Sequence, residues 1–67
     1  MTLKIFVNGE PLEIPDNFAL KDIIEILEVT GRYAIEVNGE IVPKSEHLDF
    51  AINNGDVVEV VKAVGGG

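Results

Sequence analysis

The hydrophobic positions change period twice along this chain. Leu3, Ile5 and Val7 alternate with Thr2, Lys4 and Phe6, a period of two that predicts a half-buried strand. Asn8-Gly9 suits the positive backbone angles of a type I′ hairpin, and Leu12-Glu13-Ile14 resumes the alternation as the return strand until Pro15 ends it. Leu20, Ile23, Ile24 and Leu27 then fall at i, i+3, i+4 and i+7, one apolar stripe of a helix that needs a sheet to cover. Asp16 and Asn17 serve as start signals and Gly31 as a stop, which places this helix at residues 18–29. After Gly31 the period returns to two. Tyr33, Ile35 and Val37 share a face, a second Asn38-Gly39 turn follows, and Ile41-Val42 returns until Pro43. The repeated Val-Asn-Gly-Glu at 7–10 and 37–40 reads as shared turn chemistry, because asparagine and glycine are independently favoured at each hairpin. Residues 44–54 read as irregular with a short helical turn near 48–52, and Gly55-Asp56 introduces a last strand at 57–64.

The order ββαββ followed by β predicts an α+β domain, a mixed sheet of about five strands packed on one main helix. It divides the chain into a domain at 1–64 and a flexible C-terminal glycine tail at 65–67. Strand parity puts Phe6, Ala34, Val57, Val61 and Ala63 on the sheet face opposite the helix. Two readings compete for that face: structural packing with harmless exposure of scattered apolar residues, or docking to another protein.

Composition narrows the chemistry. A chain of 67 residues with 46% hydrophobic positions holds one domain. With no cysteine and a single histidine, it offers no disulfide, thiolate metal site or thiol nucleophile, so one compact core must hold it together. Its apolar stretches are interrupted every few residues, far short of a membrane span, and its start does not resemble a signal peptide. A cytoplasmic protein is the default expectation. Twelve acidic residues against five basic ones give a formal charge of −7, which opposes nucleic-acid binding and favours a partner with a basic surface, unless it serves solubility alone. Glu46, His47 and Asp49 include metal-ligand types, but a lone histidine between loop carboxylates reads as a solvated surface feature, and no metal is expected.

Three consecutive glycines, Gly65, Gly66 and Gly67, close the chain. They form no phosphate loop, because no helix and no lysine follow them. Standing alone they would read as a frayed or cloning-derived end. Attached to a central strand they carry the terminal carboxylate about 10 Å past the fold at ~3.3 Å per residue. Without Cβ atoms they are slim enough for a narrow channel in another protein.

The stretch from Val37 to Glu46, with Gly55-Asp56-Val57-Val58-Glu59-Val60 and the closing Val64-Gly65-Gly66-Gly67, resembles the thiamine-biosynthesis sulfur carrier family over essentially the whole chain. His47 departs from that family's pattern, in which an aromatic residue, often tryptophan, follows the glutamate. The resemblance implies a ubiquitin-like β-grasp fold and a carrier that is not an enzyme. An adenylating (ubiquitin-activating-like) enzyme would use ATP to convert Gly67 into an acyl-adenylate, a persulfide sulfur donor would leave a thiocarboxylate there, and thiazole synthase would receive the sulfur. The chain itself would bind no cofactor, Gly65 and Gly66 would give reach, and the apolar face would dock the partners. The small subunit of molybdopterin synthase shares the implied fold and ending, and a non-covalent β-grasp interaction module is a third reading.

Overall fold

The computed structural model describes residues 1–62. The expected continuation of the last strand to Val64 lies outside the described residues, as do Ala63, Gly65, Gly66 and Gly67. Five strands, β1 (Thr2–Val7), β2 (Glu10–Pro15), β3 (Tyr33–Val37), β4 (Glu40–Val42) and β5 (Val57–Lys62), form one sheet in the order β2-β1-β5-β3-β4. The strand formed last in the chain is thus central, parallel to β1 and antiparallel to β3. Both outer pairs are antiparallel hairpins. Each turns on an Asn-Gly pair with positive φ at both residues: 51° and 86° at Asn8-Gly9, 54° and 87° at Asn38-Gly39. Two successive positive angles define the type I′ turn, whose twist matches that of the flanking strands.

The one α-helix among the described residues, α1 (Leu20–Ile26), is shorter at both ends than the apolar spacing predicts. It starts at Ala19, and the Asp22 carboxylate accepts the Ala19 N–H at 2.8 Å. Asp16 and Asn17 do not cap it; Asp16 instead donates its N–H to the Met1 carbonyl. Helix α1 ends before Gly31, because Glu28 already takes a left-handed φ of 56°. The Glu28 and Val29 N–H groups return to the carbonyls of Glu25 and Ile24, the paired bonds that close a helix end. Leu27 therefore falls off the stripe and is 39% exposed, whereas Leu20, Ile23 and Ile24 are buried.

Those three helix residues pack with Ile5, Val7, Ile14, Ile35, Val37, Val42, Ile52 and Val58 into one core. Burying each such side chain contributes about 1.5–3 kcal/mol, and alternate residues of every strand supply them. Between β4 and β5 a 3₁₀ turn forms at Lys44–Glu46. It precedes the helical turn expected near 48–52, because Pro43 supplies a fixed φ of −59° at its start.

Candidate functional site

The expected docking residues meet across strands on the face away from α1. Phe6 lies opposite Val57 and Ala34 lies opposite Val61. Phe6, Val57 and Val61 are 38%, 44% and 50% exposed, and Ala34 is exposed as well. Ala63 lies outside the described residues. The two apolar pairs are not contiguous: Glu36 and Glu59, directly opposite each other, form the row between them. Ile41 faces Glu36 across β3 and β4 and is 69% exposed. It belongs to this face although it was not among the expected residues. Its signal was parity, since an inward Val42 turns its neighbour outward.

The strand that carries the face also carries the chain end. β5 is bracketed by the two hairpin turns, and each asparagine side chain reaches it. The Val60 N–H donates to Asn8 Oδ1 at 2.9 Å and the Val57 N–H to Asn38 Oδ1 at 3.0 Å. Asn38 Nδ2 in turn donates to Asp56 Oδ1 at 3.0 Å. The other Asp56 oxygen accepts the Asn53 N–H at 2.8 Å, so this buried carboxylate is hydrogen-bonded on both oxygens. Such ties fix β5 relative to the rest of the sheet.

His47 overturns its expected place among solvated loop residues. It is 5% exposed, and its ring stacks on Tyr33 with centroids 6.0 Å apart and planes at 21°. Nε2 is 3.0 Å from the Val42 carbonyl; a carbonyl only accepts, so Nε2–H is the donor. Pro43 turns the chain back over the sheet, which carries this ring inward. Glu46 and Asp49 stay exposed, and among the described residues no three histidine or carboxylate side chains gather as a metal site. No helix there is long and apolar enough to cross a membrane.

The ThiS family profile matches residues 4–67. The chain belongs to the ThiS family. These are ubiquitin-like sulfur carriers, and the fold is their β-grasp. The solved thiamine biosynthesis protein ThiS from Geobacter metallireducens superposes with a TM-score of 0.79 at 25% identity, covering 97% of this chain and all of that one. Subunits 1 and 2 of the molybdopterin-converting factor from Helicobacter pylori, solved as a complex, include a chain matching with a TM-score of 0.58 at 26% identity, with both chains fully covered. A thiazole synthase of Paramagnetospirillum magneticum is 38% identical over 66 residues, 97% of this chain, and this chain spans 20% of its length. An uncharacterised protein, ycf40 of Porphyra purpurea, is 33% identical over 97% of this chain and 93% of its own length. For this ThiS-family chain the matched span includes all three terminal glycines.

Proposed function

We infer that this chain carries sulfur for thiazole formation, as a thiocarboxylate at Gly67. The observation that carries this reading is the family match running through the glycine tail, which continues from the central strand. A carboxylate resists nucleophiles until one oxygen becomes part of a good leaving group. A partner enzyme provides this by letting a Gly67 oxygen attack the α-phosphorus of ATP, releasing pyrophosphate and forming an acyl-adenylate. The outer sulfur of a partner's cysteine persulfide attacks the carbonyl and AMP leaves with the original oxygen. A second thiol then reduces the resulting disulfide, leaving the thiocarboxylate on Gly67 and an oxidised cysteine pair on the partner. The chain supplies the carboxylate, its reach and its docking face, and the catalysis belongs to the partners. The thiazole synthase relative favours thiazole formation, since a fifth of its length resembles this chain. The molybdopterin-converting factor match supports a second reading with the same terminal chemistry and a different acceptor.

The test is chemical. With ATP, the adenylating enzyme of the source organism and sulfide, which displaces AMP directly, the terminus gains about 16 Da as oxygen is exchanged for sulfur. Oxidation of Met1 adds nearly the same mass, so fragmentation must locate the gain at the last residues. Iodoacetamide then alkylates a protein that contains no cysteine. Deleting Gly67 abolishes both signals and leaves the melting midpoint unchanged. Absence of alkylation after verified pyrophosphate release rejects the reading. Transfer of the sulfur to thiazole synthase, or instead to the large subunit of molybdopterin synthase, decides between the two acceptors.

A further inference from the structure

Although the chain carries a net charge of −7, its cations are not spread among its carboxylates. Four of the five basic residues surround Tyr33 at the end of the sheet that carries Lys62. Arg32 precedes Tyr33 in sequence, and Lys62, the last described residue, is its register partner on β5. Arg32 and Lys62 line one shallow cleft with Tyr33. Lys21 and Lys44 line the neighbouring one with Tyr33 and His47. The Lys44 ammonium stands 5.9 Å from the Tyr33 ring centroid, within cation–π range. All four cations are exposed, and none forms an ion pair with a described carboxylate. Buried His47 organises half of this collar. Its ring holds the turn bearing Lys44 against Tyr33, and its carbonyl accepts the Lys21 N–H at 3.4 Å, drawing in the start of α1.

Grouping like charges on an acidic molecule costs self-repulsion and forgoes local ion pairs. A surface with that arrangement is complementary to something negative. Its position says what. The five residues beyond Lys62 span at most about 18 Å, so a partner that takes the terminus into its active site must bring the collar within that distance of the nucleotide, against the surface around the channel. We propose that the collar of Lys21, Arg32, Lys44 and Lys62 seats this chain against an acidic rim around the tail channel of the adenylating enzyme. This rests on the carrier reading above. The net charge steers in the opposite sense at long range, so the collar acts at contact, where the tail enters.

Steady-state pyrophosphate release with the adenylating enzyme, at varied carrier concentration, tests this. Lys44→Gln and Lys62→Gln should each raise KM about threefold, the size of one exposed ion pair, and together about tenfold, with kcat unchanged; the melting midpoint stays at the wild-type value in Lys62→Gln and falls in Lys44→Gln only by the loss of its contact with Tyr33. Wild-type KM should rise with added salt, and the double variant should respond more weakly. Asn53→Asp makes the same unit change in net charge as either single variant, but at the opposite end of β5, and should leave KM at the wild-type value. Equal KM and equal salt response in wild type and double variant would overturn the collar while leaving the carrier reading intact. So would loss of kcat alone, or binding of inorganic phosphate to the isolated chain that the double variant loses. A wild-type chain that is never adenylated overturns both.

Discussion

A single imidazole shows how much one buried polar group decides in a domain this small. His47 satisfies the Val42 carbonyl and fills the space beside Tyr33, so truncating it leaves both an unpaired acceptor and lost packing. We expect His47→Ala to destabilise the fold by about 1–3 kcal/mol. At about 4–8 °C per kcal/mol for a domain of this size, thermal melting resolves it readily. His47→Phe keeps an aromatic ring against Tyr33 and loses only the donor, so its midpoint should fall between wild type and His47→Ala. Identical midpoints for all three would mean that the ring contributes nothing. The inward path of His47 was not legible in the sequence, because a lone histidine between the exposed carboxylates Glu46 and Asp49 carries no hydrophobic signal of its own. Its burial follows from the chain folding back after Pro43 onto a carbonyl of β4 and a ring of β3.

At the scale of elements, the end of α1 and the two hairpin turns pull in different directions. The apolar stripe extends to Leu27, but the helix closes one turn short of Gly31 with a glutamate in the left-handed region. Nothing in a Glu-Val-Thr-Gly run marks the glutamate as the stop; the closure is set by where Val29 must pack against the core. A residue with a Cβ is strained there, and glycine is the usual occupant. Glu28→Gly should therefore raise stability by about 0.5–1 kcal/mol, read as a higher urea midpoint at unchanged slope. A lower midpoint would show that the exposed Glu28 side chain contributes more than its backbone strain costs. The hairpin turns, by contrast, were legible, because Asn-Gly has few other uses between alternating strands. Their second role was not: Asn8 and Asn38 also clasp β5, a strand about 20 to 50 residues away in the chain. The repeated Val-Asn-Gly-Glu thus reflects two turns flanking one central strand, each using its side chain on that strand's backbone.

For the whole molecule, the sheet presents one covered and one open face, and the open one combines apolar pairs with an acidic row. Like charges directly opposite each other are unfavourable, and Glu36, half-buried, and Glu59, exposed, stand opposite each other between the apolar pairs. Val61→Asp and Ile41→Asp should each raise the KM for adenylation about tenfold or more, since a central apolar contact in an interface is worth ~2 kcal/mol. The melting midpoint should shift little, because surface substitutions usually stay within about 0.5 kcal/mol. Phe6→Asp should cost more stability than either, as Phe6 is the less exposed residue. Full activity in both Val61→Asp and Ile41→Asp would place the docking surface elsewhere.

The sequence by itself determined the element order, the two turn types and the buried face of each strand. Each follows from local information: hydrophobic period, backbone preference or residue type. Only the tertiary structure decided that His47 is buried and that Lys21, Arg32, Lys44 and Lys62 form one collar. Those outcomes depend on strand order and register, which bring residues from positions 21 to 62 to one end of the sheet. Contacts at such separations are set by packing of the whole core, and no local pattern in the chain encodes them.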